Sequence, residues 1–166
     1  MAEKDFIFKG KIKHSGPFDW KELYGFLYNW LITKEYWVVE KEYSEKQSQT
    51  GKEIVVKWDA KRRISDYFQY YLKIEFRLFG MKKVEVEYEG KKIEMDKGLL
   101  ELTLQCILIK DYESRWETSA FMKWLRSVYD RYIIRARIED YENDIFEEGD
   151  EFLNQAKAFL AHQGTR

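Results

Sequence analysis

The chain reads as an α+β protein in which an antiparallel sheet of about seven strands packs on a long C-terminal helix. Three observations carry that reading. Between Tyr36 and Leu108, apolar residues alternate with charged ones in short runs broken by turn residues, the period of half-buried strands. Apolar residues at helical spacing precede these runs, from Trp20 to Leu31, and return after them, from Phe121 to Ala136. The connections between runs are short, which favours an antiparallel meander over parallel crossovers.

Taken in order, Phe6, Phe8 and Ile12 lie opposite Lys9, Lys11 and Lys13 in the first strand, and Ser15-Gly16-Pro17 reads as the turn that ends it. Asp19 is placed to cap the helix that follows, with Glu22 at its third position and Phe18 and Leu23 spaced for a hydrophobic staple. Trp20, Leu23, Tyr24, Leu27, Trp30 and Leu31 form its main stripe, up to about Thr33. Phe26, Tyr28 and Ile32 carry apolar character around most of the remaining surface. Six strands are then expected, around Trp37–Tyr43, Ile54–Trp58, Phe68–Leu78, Val84–Tyr88, Ile93–Met95 and Leu100–Leu108. The separating turns are Gln47–Gly51, Lys61-Arg62-Arg63, Gly80, Glu89-Gly90 and Gly98. Ser114 and Glu117 form a capping box for the long helix, expected over Glu117–Glu142. Gly149 is expected to break it, leaving a short terminal helix marked by Phe152, Ala156 and Phe159 or Leu160.

Composition bounds the function. At 166 residues the chain is expected to be one domain (1–166), with a core over 5–142 and an acidic, short-helical extension over 143–166. Aromatics at 17% and charged residues at 36% describe a globular chain with a sizeable core. Met1–Asp5 leads straight into a strand, so no signal peptide is expected, and no run of apolar residues is long enough to span a membrane. One Cys allows no internal disulfide and suits a reducing, cytoplasmic setting. The net charge of −1 gives no global field toward nucleic acid.

No residue cluster declares a reaction. His14 and His162 stand alone, and Cys106, in register with Leu104 and Leu108, reads as buried and inert. Asp140, Glu142 and Asp144 have the one-three-five spacing of a calcium loop, but Ile145 occupies the sixth position where Gly is required. No metal, cofactor or catalytic residue is therefore expected. Lys61-Arg62-Arg63 with Tyr67 and Tyr71 is a basic-plus-aromatic grouping, but Glu75, Glu85 and Glu87 make the neighbouring face mixed, and no nucleic-acid partner is expected. The apolar first helix either packs in the core with a homodimer or protein contact on its far side, or lines a cavity in which the Tyr24 and Tyr28 hydroxyls sit on an apolar wall.

The order strand, helix, six-stranded meander, long helix over 5–142 resembles the helix-grip fold of the START-like superfamily, which includes lipid-transfer, pollen-allergen-like and polyketide-cyclase-like domains. That resemblance implies a curved sheet gripping the last helix around an apolar cavity. The wall would be Tyr70, Leu72, Ile74, Phe76, Leu102, Leu104 and Cys106, and the lid Phe121, Trp124, Leu125, Val128 and Tyr132. The chain departs from the pattern in having one helix after the first strand, where members have two, and in its tail. The expectation is a non-catalytic module binding an apolar or amphipathic small molecule; the alternative is an interaction or assembly module using the first helix or acidic tail.

Overall fold

The computed structural model describes residues 3–113, 119–133 and 135–164. The elements are β1 (Glu3–Phe18), α1 (Trp20–Thr33), β2 (Trp37–Ser48), β3 (Gly51–Arg63), β4 (Phe68–Tyr88), β5 (Lys91–Lys110), α2 (Ala120–Val128), a π-helical turn (Tyr129–Ile133) and α3 (Arg135–Gly164). The fold is α+β, with one antiparallel sheet and a C-terminal helix. The strand order is β1-β5-β4-β3-β2.

The sheet has five strands rather than about seven. Gly80 and Gly98 do not end strands. They sit inside β4 and β5, where the register shifts between Phe79 and Lys82. Gly80 takes a positive φ of 63° there, and a Cβ on Gly98 would lie 2.7 Å from the Phe79 carbonyl oxygen. The glycines therefore serve a bulge and a close backbone approach, and each fuses two expected strands into one of about 20 residues. Ser15-Gly16-Pro17 likewise continues β1, with Gly16 paired to Gly98. Proline is tolerated because β1 is an edge strand. Glu89 and Gly90, both at positive φ, make the tight turn between β4 and β5, as expected.

The first helix forms as its signals suggest. Asp19 accepts a hydrogen bond from the Glu22 N–H at 3.1 Å, and Trp20, Leu23, Leu27 and Leu31 are buried. The Trp20 N–H, another of the unpaired first-turn donors, reaches the Asp96 carboxylate at 3.1 Å.

The C-terminal part corrects the expected long helix over Glu117–Glu142. The Ser114–Glu117 box lies outside the described residues. Ser119 instead caps α2, accepting from the Met122 N–H at 3.2 Å. The longest helix is α3, which runs for 30 residues straight through Gly149. Glycine is used there for proximity: a Cβ would fall less than 3.0 Å from Cys106 Sγ, and one on Gly10 of β1 less than 3.0 Å from Leu153. Two bare backbones let α3 rest directly on β1 and β5.

The core lies between one face of the sheet and the helices α1 and α3. Ile145, Phe152, Leu153, Ala156 and Leu160 of α3 join the inner residues of β1, β3, β4, β5 and α1 in a single cluster. The two helices meet through a stacked Phe26–Phe159 pair at 5.1 Å and an edge-to-face Trp30–Phe152 pair at 5.4 Å. Residues 143–163, expected as an extension, thus supply the helix that closes the core. Among the described residues no helix is long and apolar enough to cross a membrane.

Candidate functional site

The expected cavity wall exists as a surface. Tyr70, Leu72, Ile74, Phe76, Leu102, Leu104 and Cys106 all point inward and are buried. The expected lid is elsewhere: Phe121 and Trp124 are 65% and 60% exposed, Tyr132 is exposed, and Leu125 and Val128 are only half-buried. The wall and the lid are not brought together. The wall is covered by α1 and α3 instead, tightly enough at Gly149 to exclude a methyl group from Cys106. Burial, with the Glu148 carboxylate adding to it, pushes the Cys106 thiol up to about 12, so it is a neutral core group.

Beside that wall lies a half-buried polar cluster that links α3 to the sheet. The Arg62 guanidinium donates to Glu148 Oε1 at 2.6 Å and to the Lys34 carbonyl oxygen at 2.8 Å. It also lies over the rings of Tyr36 and Tyr70, at 4.9 and 5.2 Å. The Tyr36 hydroxyl donates to the other Glu148 oxygen. Each charge here is paired, and the arrangement does structural work: it ties the turn after α1, the end of β3 and the middle of α3 together.

Room for a ligand is found at the start of α1. A cleft of about 440 Å³ opens there between the helix, the β2–β3 hairpin and the bulge of β4. Trp20, Tyr24, Tyr43, Ile54 and Met81 supply its aromatic and apolar surface. Trp20 and Tyr24 meet edge to face at 5.7 Å, and Tyr24 packs on Trp58 at 5.0 Å, so the rings are held rigidly. The Tyr24 hydroxyl donates to Glu40, and burial together with that carboxylate pushes it up to about 12, keeping it a neutral donor. Tyr28, expected beside it, instead packs on Trp58 at 6.0 Å and does not line the cleft.

The rim is charged and partly self-compensated. Lys83 pairs with Asp96 at 2.9 Å and Lys52 with Glu45 at 3.4 Å. Lys21 and Lys82 have no carboxylate within ion-pairing distance among the described residues. The arrangement can hold a flat or aliphatic body against the rings and one acidic group between the two free ammonium groups. Of the expected cavity residues only Tyr24 lines this cleft. The local sign that could have found the rest is Lys82-Lys83 directly after Gly80, once the glycine is read as a bulge.

Asp140, Glu142 and Asp144 lie along α3, where a helical backbone cannot wrap an ion as a loop does. Among the described residues no group of three or more His, Cys, Asp or Glu side chains is placed to hold a metal. Set against known protein families, curated proteins and solved structures, the chain matches none.

Proposed function

We propose that the protein is a non-catalytic binding module for an amphipathic small molecule with an acidic head group, seated in the cleft at the start of α1. The observation that carries the reading is the pairing of a rigid ring surface, Trp20, Tyr24 and Tyr43, with the uncompensated lysines 21 and 82. The order of elements is compatible with a helix-grip-like arrangement, but our reading moves the ligand from beneath the last helix to the side of the first. Titration with a fluorescent fatty acid tests it. Saturable micromolar binding that falls about tenfold in Lys82→Glu, as loss of one charge-assisted contact would give, and persists in Leu104→Val supports the cleft. Absence of saturable binding, or loss in Leu104→Val alone, sinks it.

A second reading, an interaction or assembly module, is favoured by one observation: Phe121, Trp124 and Tyr132 are large, apolar-faced and exposed on and just after α2. Sedimentation of the protein and of Trp124→Asp separates the two. A monomer in both cases counts against self-assembly through this helix.

A further inference from the structure

The sheet has a second face. Helices α1 and α3 cover the inner one, while among the described residues the apolar cover of the outer one is Tyr112, just after β5, folded against Tyr71, Ile107 and Ile109. We propose that this outer face, at its Tyr71 end, is a platform for single-stranded nucleic acid. It is independent of the cleft, which lies on the other side of the sheet.

Phe6 pairs with Ile107, Ile107 with Tyr71, Tyr71 with Lys61, and Lys61 with Trp37. These five residues form one continuous row across all five strands. Its two ends are aromatic rings in open solvent: Phe6 is 66% exposed and Trp37 is 76% exposed. Four inter-strand steps separate them, a span of about 19 Å. Each end of the row thus presents one large open ring, and bases stack on such rings whatever their sequence.

Charge agrees with the rings. The row on one side brings Lys4 and Arg63, and the row on the other brings Lys9 and Lys73. With Lys61 these make five cations, and none has a carboxylate within ion-pairing distance among the described residues. Asp59, the one carboxylate in these rows, is paired with Lys41. Lys4, Lys61 and Lys73 converge on the Tyr71 ring, at 5.8, 4.9 and 5.8 Å from its centroid, and Arg63 covers the Tyr112 ring at 5.6 Å. Their stems bury the ring while the ammonium groups stay at the surface. A groove of about 420 Å³ continues from Tyr71 along Lys9, Lys41, Lys73 and Gln105, with Asp59 and Glu75 also on its lining.

Of the glutamates that make this face look mixed in the sequence, Glu75 lines that groove but is neutralised by a partner, and the others stand outside it. Glu75 is paired with Arg77, and Glu101 with Lys11 and Lys13. Glu85 and Glu87 sit far out on the β4–β5 ribbon, 14 and 16 residues along β4 from Tyr71, roughly 45–55 Å at strand rise. The unpaired positive charge and the open rings are thus segregated at one end of the face. An acidic peptide would satisfy the lysines but not the rings, and a duplex would offer phosphates but no free base planes.

Fluorescence anisotropy with a short labelled oligouridylate, its duplex form and polyglutamate as competitor tests the proposal on the whole chain. The single strand is expected to bind best, with a log–log salt slope near −3.5 for five phosphates. Trp37→Ala and Phe6→Ala should each weaken it about tenfold, and Lys61→Gln should reduce the slope by about 0.7. Lys82→Glu, in the cleft, should leave it unchanged. Equal affinity for duplex, equal competition by polyglutamate, indifference to both ring variants in proteins with unchanged melting curves, or no binding at low salt would each overturn it.

Discussion

Replacing Gly149 by alanine tests how α3 sits on the sheet. In an exposed helix interior the change stabilises by about 1 kcal/mol. Here the new methyl would lie under 3.0 Å from Cys106 Sγ, with Phe8 Cδ1 at 3.3 Å and Leu104 Cδ2 at 3.4 Å closing the other sides. Ordinary carbon contacts are about 3.5–4.0 Å, so helix or strand must move by half an ångström or more. Cys106 cannot step aside: it is mid-strand, paired to Phe8 and Leu72 on its two flanks. Overpacking of this kind costs about 1–3 kcal/mol, and the tightness puts it near the upper end. The expected net loss is about 2 kcal/mol, or about 4–8 °C in Tm. Cys106→Ala removes the sulfur and by itself costs about 1 kcal/mol. In that background Gly149→Ala should become neutral or stabilising, a coupling of about 2 kcal/mol. Urea denaturation of the four proteins, followed by circular dichroism with m-values compared, measures it. Stabilisation by Gly149→Ala in both backgrounds, without coupling, would show that α3 does not rest on Cys106.

Arg62→Met should destabilise by about 2–3 kcal/mol, because it strands the half-buried Glu148, and adding Glu148→Gln should recover part of that loss in the same denaturation assay. His14 has its Nε2 enclosed without a hydrogen-bond partner, and burial holds its pKa below the usual 6.5. The unfolded chain therefore takes up a proton near that value while the folded one resists, so stability is full above 6.5 and declines as pH falls below it; His14→Phe should flatten the decline between pH 7.5 and 5.5 in urea midpoints. The Cys106 thiol should not react with a disulfide reagent at pH 8 in the native protein and should titrate fully in urea; reaction of the native thiol within seconds would contradict its burial.

The alternation of the central strands was legible, with inward residues such as Leu72, Ile74 and Leu104, because period-two patterning is a local property of the chain; on the edge strands it did not hold, since a bulge after Phe6 turns that ring away from the Phe8 and Ile12 side, and Trp37 and Val39 are exposed. The strand ends were not legible. Gly80, Gly98 and Gly16 carry the same local signal whether they close a turn or permit a bulge, and only the partner decides: Gly98 has Gly16 on one side and the Phe79–Lys82 bulge on the other. Gly149 is ambiguous in the same way until Cys106 is placed opposite it. The stretch expected as the lid lies off the wall for a related reason. The stripes at Phe121–Tyr132 and at Ile145–Leu160 are equally helical, and what selects the second is its bare glycine and small Ala156, which allow close approach to β1 and β5. The inward position of Arg62 is legible in the sequence. Carrying the alternation of Val56, Trp58 and Ala60 one step further puts Arg62 on the inner face and Lys61 and Arg63 on the outer.

That last alternation bears on how net charge should be read. A total of −1 is a sum over two surfaces that do not face the same partner. The acidic run from Glu139 to Glu151 belongs to α3, packed on the inner side of the sheet, whereas the unpaired lysines stand on the outer side. A helix packed on a sheet lies about 10 Å from it, and its solvent-facing carboxylates lie farther still. At physiological ionic strength the Debye length is about 8 Å. The helix carboxylates are therefore largely screened from anything bound at Tyr71, and the outer face acts as a basic surface despite the near-neutral whole. The near-neutral sum describes the chain and not the face, because a ligand responds to the charges within a screening length of where it sits.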